Sequence, residues 1–147
     1  MSIHFHPVPV KEIKKETSDC VSVVFDVPEE LKELFAFRQG QSLAMRAKIN
    51  GHEVRRTYSI CSSPLDNQLR VAIKKVKGGV FSSYANDRMK KGTVIELMPP
   101  VGKFYTELSP LNKKNYTAFA AGSGITPVLS IIKTTLATEP ESSFILV

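Results

Sequence analysis

Cysteine is scarce in this chain of 147 residues: Cys20 and Cys61 are the only two, with no Cys-x-x-Cys pair and no histidine cluster beside either. Two thiolates cannot complete an iron–sulfur cluster or a structural zinc site. Reduced, partly buried thiols are the expectation, as in a reducing compartment. No apolar run approaches the roughly 20 residues that a membrane-spanning helix needs. The start, Met1-Ser2-Ile3-His4-Phe5-His6-Pro7, lacks the basic flank and apolar stretch of a signal peptide. A cytoplasmic chain without a membrane segment is expected. Long basic runs are missing too, although the net charge is +6 and the pI near 9.4. The lysines fall in short groups (Lys11, Lys14, Lys15; Lys74, Lys75, Lys77; Lys90, Lys91; Lys113, Lys114). Aromatics do not alternate with them as a single-strand binder requires, so nucleic acid is disfavoured. A solvated basic surface that steers an anionic ligand or an acidic partner is the simpler reading.

What is present suits an ordinary folded core: 42% hydrophobic and 23% charged residues. The first hundred residues read as β. Strands are expected over Cys20–Asp26, Ser42–Ile49, Glu53–Ile60, Leu69–Val76, Thr93–Met98 and a last short one over Lys103–Thr106, from their alternation and β-branched content. Asn50-Gly51 between two of them is a strong hairpin signal, because both residues tolerate positive φ. Short helices are expected over Pro28–Phe35, with proline and acids in its first turn, and over Ser82–Met89, which Gly92 follows. Such a series of short strands suggests a closed antiparallel barrel or a sandwich.

Near Ser109–Lys114 the pattern changes. Tyr116–Ala121 is a short apolar strand of the parallel, buried kind, a glycine turn leads to a helix starting at Pro127, Glu139-Pro140 ends it, and Ser143–Val147 is a second apolar strand. This β-α-β unit opens a doubly wound domain. Two regions are therefore expected, 1–110 and 111–147. A unit this small cannot cover its own sheet, so the chain reads as a piece of a longer protein, or as one whose unit packs on the barrel or on another copy.

Three runs carry chemistry. Gly122-Ser123-Gly124-Ile125-Thr126-Pro127 follows a strand and opens a helix, where glycines admit a phosphate to free N–H groups at the positive end of the helix dipole. Thr126 is a candidate N-cap and Pro127 a first helical residue. The full G-x-G-x-x-G pattern is absent, and alone the run is equally a plain glycine turn. Gly78-Gly79-Val80-Phe81-Ser82-Ser83 repeats the logic and is, in isolation, just a loop and cap. In Arg55-Arg56-Thr57-Tyr58-Ser59-Ile60, Arg56 offers forked donors to a phosphate and Tyr58 a flat face for an aromatic ring. On a strand Arg56, Tyr58 and Ile60 point one way, Thr57 and Ser59 the other. Two further candidates have bland readings. His4 and His6 lack a third metal ligand nearby and read as a surface pair, so no metal site is expected. Glu96, a conceivable proton donor, reads as the solvent face of a strand.

In this order and spacing the three runs resemble the ferredoxin–NADP reductase family over essentially the whole chain, and the text flanking the first two is most similar to its oxygenase-reductase type. The resemblance implies a mainly β fold, an antiparallel Greek-key FAD-binding barrel followed by the start of an NAD(P)-binding domain. It implies that Arg56 binds the FAD pyrophosphate with Thr57 beside it, that Tyr58 stacks on the isoalloxazine, and that Ser59 bonds near flavin N5. Ile73, Lys74 and Lys75 would meet the ribityl–adenosine part, and Gly79, Val80, Phe81, Ser82 and Ser83 would close on the pyrophosphate. Gly122, Gly124 and Thr126 would line the nicotinamide side, Thr126 close to the flavin; Tyr58, Ser59 and Thr126 are thus the catalytic candidates. Hydride would pass from NAD(P)H to FAD, and electrons onward to an iron–sulfur domain or oxygenase component absent from this chain. The competing expectations are a flavin-free basic barrel that binds an acidic partner or nucleic acid, and an inactive fragment.

Overall fold

The computed structural model describes residues 4–147. Six strands form one antiparallel sheet: β1 (His6–Thr17), β2 (Cys20–Phe25), β3 (Ser42–Ile49), β4 (His52–Ser59), β5 (Leu69–Lys74) and β6 (Val94–Leu97), in the Greek-key order β4-β3-β6-β1-β2-β5. Its two outer strands meet: Ile60, just past β4, bridges Val71 of β5, and the Cys61 amide donates to the Arg70 carbonyl at 2.9 Å. That contact closes the sheet into a barrel, removing its free edges. Leu43, Met45, Ala47 and Ile49 of β3 are buried while the residues between them are not, the alternation a one-sided strand requires. Val8, Val23, Ile60, Val71, Ile73 and Leu97 join the first two inside, none of them exposed by more than a trace. α1 (Val80–Asp87) stoppers the barrel with Phe81 and Ala85, both fully buried.

Several expectations need correction. β1 lies outside the expected strands, because Lys11, Lys14 and Lys15 mask it; its first half pairs with β6, its second with β2, and a register shift between Val10 and Glu12 bends it round the barrel corner. His6 is half-buried with its ring edge-on to Phe35 at 6.0 Å, not part of a surface pair. The helix expected over Pro28–Phe35 shrinks to a 3₁₀ turn, Glu29–Leu31. Leu34 stays 45% exposed there and Leu31 is only half-buried, leaving Phe35 as the one fully buried apolar side chain of the segment, so packing offsets only part of the cost of nucleating a helix. Lys103–Thr106 is not a strand: Val101 makes a last bridge to Ser42, Gly102 turns away at φ 136°, and the segment runs against residues 38–41. There Gly40, at φ +86°, leaves room for chain that a Cβ would block, 1.9 Å from the Phe104 carbonyl oxygen.

Beyond residue 110, β7 (Asn115–Ala118), α2 (Ile125–Thr138) and β8 (Ser143–Leu146) form the expected β-α-β unit, β7 and β8 pairing in parallel from Asn115↔Ser143 to Ala118↔Leu146. The strands are not buried as their composition suggested: Phe119 is 76% and Ile145 58% exposed. Glu139, after α2, is fully covered; its carboxylate accepts from the Tyr116 hydroxyl at 2.7 Å and Asn112 Nδ2 at 3.2 Å. Burial pushes this acid up, but the Tyr116, Asn112 and Ser142 bonds outweigh it and hold it below the usual carboxylate range. Among the described residues no helix is long and apolar enough to cross a membrane.

Candidate functional site

Asn50 (φ 50°) and Gly51 (φ 80°) form the tight turn that sets the β3–β4 register, opposing Met45 to Arg56, Leu43 to Tyr58 and Ser42 to Ser59. Along β4 the expected alternation becomes a gradient on one face. Ile60 is sealed in the core, Tyr58 is half-buried and Arg56 is exposed. Burial raises the Tyr58 phenol above its ordinary value, opposed in part by nearby Arg56, which keeps the ring neutral and flat-faced. Arg56 uses one nitrogen on the Arg55 carbonyl at 2.6 Å; no other partner of its guanidinium is found among the described residues, nor any for the half-buried Ser59 hydroxyl. Thr57 lies on the outward face, in a recess that Arg55 and Arg56 also line, with Phe5, Ala44, Arg46 and Met98. Glu96 is bound by Arg46 of that recess at 3.0 and 2.6 Å. Arg46 holds its carboxyl low against the opposing effect of burial, so it is an ion-pair member and no proton donor.

The Gly78–Ser83 run lies against this strand. The rings of Tyr58 and Phe81 are 5.8 Å apart, tilted by 36°. α1 begins at Val80, earlier than expected, and Gly79 is its N-cap without a side-chain acceptor. Ser82 is not the cap: its Oγ accepts from the Val76 amide at 3.2 Å, stapling the loop. A Cβ on Gly79 would lie 2.3 Å from that oxygen and 2.5 Å from Val76 Cγ2, so a larger residue there must displace the Ser82 staple. The first-turn amides of Val80, Phe81 and Ser82 therefore have no partner among the described residues, and no acid occupies that turn. Such an uncapped, acid-free start is the kind of cradle that anions favour. A groove of about 340 Å³ runs from it, past Gly78, Gly79, Val80 and Ser83, to Asn50 and Tyr84. Ile73 and Phe81 are wholly buried, so neither side chain can meet a ligand. Lys74 and Lys75 are exposed, paired with Asp19 at 3.8 Å and Asp87 at 2.7 Å.

The third run forms a 3₁₀ turn, Gly122–Gly124, leading directly into α2. Thr126 is inside the helix, not its N-cap; its hydroxyl donates to the Ser123 carbonyl at 2.9 Å. Gly122, at φ 58°, and Gly124 face open space where a Cβ would go, and neither helical start has a side-chain cap or an acid. Its link to the first run is indirect. α2 docks on Ser62–Asp66, the residues just after β4: Ser130 Oγ donates to the Ser62 carbonyl at 2.6 Å, and Thr134 Oγ1 is 2.8 Å from Ser63 Oγ. Sequence reasoning missed this contact. The one available signal was Ser63-x-x-Asp66, which forms a capping box on the 3₁₀ turn Pro64–Asp66.

A forked cation, a free hydroxyl, a flat half-buried ring and two uncapped, acid-free helical starts are the groups that a diphosphate joined to a planar heterocycle calls for. The residues present thus fit FAD. Comparison with known proteins agrees. The chain is 46% identical over 143 residues to a component of 1,2-phenylacetyl-CoA epoxidase from Escherichia coli, covering 97% of this chain and 40% of that protein. It is 39% identical to the ferredoxin reductase component of 3-ketosteroid-9-alpha-monooxygenase from Rhodococcus rhodochrous, over 86% of this chain and 36% of that one. Phthalate dioxygenase reductase, a modular structure for electron transfer from pyridine nucleotides to [2Fe-2S], superposes with a TM-score of 0.74 at 30% identity, over 97% of this chain and 42% of its own. The chain thus spans well under half the length of these relatives. Residues 7–105, the whole barrel with its β4 strand and α1 cradle, match the oxidoreductase FAD-binding domain family, and the chain belongs to it.

Proposed function

We propose that this chain is the FAD-binding part, with the beginning of the nicotinamide-binding part, of an NAD(P)H-dependent reductase that supplies electrons to an iron–sulfur domain or oxygenase component. Residues 1–110 act as the flavin domain and 111–147 as the opening of the NAD(P) domain. Bound FAD supplies hydride acceptance from NAD(P)H and onward release of single electrons. The protein's part is placement and electrostatics. Arg56 and the free amides of Val80, Phe81 and Ser82 hold the pyrophosphate, with Gly79 and Ser83 shaping the cradle and Thr57 flanking Arg56. Tyr58 presents its exposed face to the isoalloxazine while Phe81 supports the other, and the Ser59 hydroxyl is available to the reactive edge. Ile73 and Phe81 contribute through backbone or support only. Lys74 and Lys75 reach the adenosine side by exchanging their surface carboxylates. Gly122, Gly124 and Thr126 border the nicotinamide. A cytoplasmic location and an acidic partner for the basic surface complete the reading.

The observation that supports it most is the Tyr58–Phe81 contact, which brings the flat ring of β4 next to the uncapped start of α1. Incubation with excess FAD followed by desalting tests it: a yellow protein with a perturbed flavin spectrum is expected. A colourless product would overturn it and leave a basic binding module.

A further inference from the structure

The contact between α2 and the segment after β4 is made of hydroxyls and carbonyls where an apolar seam would be usual. Ser62, Ser63, Ser130 and Thr134 are each at most 5% exposed. Ser130 Oγ donates to the Ser62 carbonyl at 2.6 Å. Thr134 has one hydroxyl proton and two close oxygens, the Ser130 carbonyl at 2.7 Å and Ser63 Oγ at 2.8 Å. A carbonyl only accepts, so Thr134 donates to Ser130 and accepts from Ser63, whose oxygen in turn accepts the Leu65 amide at 3.2 Å. At the rim Lys133 pairs with Asp66.

Directional bonds of this kind do what apolar packing does not. Burial of apolar surface is nondirectional, whereas a hydrogen bond fails when its distance or angle drifts. Ser130 and Thr134 are one helical turn apart on one face and engage consecutive residues. α2 can therefore neither rotate nor slide without breaking both. The place matters as much as the chemistry. Thr126 is four residues before Ser130, about 6 Å along the helix. Ser59 is three residues before Ser62, at most about 10 Å of extended chain. The seam thus ties the flavin strand to the third glycine run over a short span at each end.

We propose that Ser130 and Thr134 are positioning residues: the hydroxyl seam they form with Ser62 and Ser63 sets the placement of Gly122–Thr126 over the flavin-gripping strand, and so the fit of a nicotinamide dinucleotide. This rests on the reading of Gly122–Thr126 as the nicotinamide side. The test compares the 147-residue chain with Ser130→Ala/Thr134→Val and with Thr134→Ser. Amide hydrogen exchange needs no bound flavin and decides first. In the double variant, exchange over residues 119–129 is expected to accelerate about tenfold, the scale of losing one or two buried bonds, with barrel peptides unchanged. Thr134→Ser, which keeps the hydroxyl, is expected to match the parent. In FAD-loaded protein the flavin dissociation constant stays within about twofold, while that for NAD⁺ or NADP⁺, read from the flavin bands, rises about tenfold. Unchanged exchange over 119–129, equal acceleration in the barrel, or Thr134→Ser behaving like the double variant overturns the proposal. Failure of the parent chain to bind FAD would instead sink the flavin reading and leave the exchange comparison standing. Should the double variant not fold, Ser130→Ala alone carries the same comparison.

Discussion

Arg56, Tyr58 and Ile60 share one face of β4, yet each meets a different medium: solvent, half-cover and core. The same face thereby supplies a phosphate donor, a stacking surface and an anchor. Removing the donor should separate binding from folding. Arg56→Ala is expected to raise the FAD dissociation constant at least about tenfold, the worth of a charge-assisted bond, with an unchanged urea midpoint because the side chain is exposed. Equilibrium titration and urea unfolding check both halves. Phe81 is the converse case. It is completely buried, with Tyr58 at 5.8 Å and Tyr84 at 6.4 Å. Phe81→Ala should cost about 3–5 kcal/mol of stability by leaving a cavity, measured by urea unfolding, and should weaken FAD binding through loss of support under Tyr58.

Among the elements, the connections are more demanding than the strands. Gly40 combines a φ of +86° with the near approach of the Phe104 carbonyl and of Ile131 Cδ1, 3.3 Å from a notional Cβ. Gly40→Ala must displace the 103–108 segment from the barrel, and a loss of at least ~1 kcal/mol is expected from the backbone strain alone, read as a lower urea midpoint. The Pro64–Asp66 turn makes a pH prediction. Lys133 holds the Asp66 carboxyl below its ordinary 3.8, against the upward push of burial and with help from the Ser63 amide. A depressed folded value means that the stabilisation is complete above the unfolded value and disappears as pH falls through the folded one. Asp66→Asn keeps an acceptor for Ser63 but not the charge. Its urea midpoint is expected below that of the parent at pH 7, the gap narrowing as the pH drops below about 4. A gap that is constant with pH would contradict this.

For the whole molecule, barrel closure and the exposed β-α-β sheet pull in opposite directions. The barrel has no free edge once Ile60 meets Val71, whereas β7 and β8 form a two-stranded sheet with Phe119, Ile145 and Leu146 open to solvent. We propose that in the isolated chain this sheet pairs between copies. Sedimentation should show concentration-dependent association that Ile145→Lys reduces, and a clean monomer at high concentration would refute it. Much of this architecture was legible from local signals. Asn50-Gly51 announced a turn through its tolerance of positive φ, β3 announced its face by period-two alternation, and the glycine runs announced helix starts because each lies between a strand pattern and a helical one. What was illegible depended on partners distant in the chain. The lysines of β1 conceal a strand that exists because β2 and β6 complete its ladder. Pro28–Phe35 has helical spacing, but of its apolar residues only Phe35 is fully buried while Leu34 stays open to solvent, and Thr126 looks like a cap until Gly124 proves already helical. Residue types and their spacing by themselves determined most of the strands, the β-α-β unit and the three ligand-directed runs, since turn chemistry and periodicity act over a few residues. Only the tertiary structure decided that Gly40 admits the Phe104 carbonyl, and that Ser130 and Thr134 grip Ser62 and Ser63. Those outcomes follow from closure and packing across some tens of residues, which no local pattern encodes.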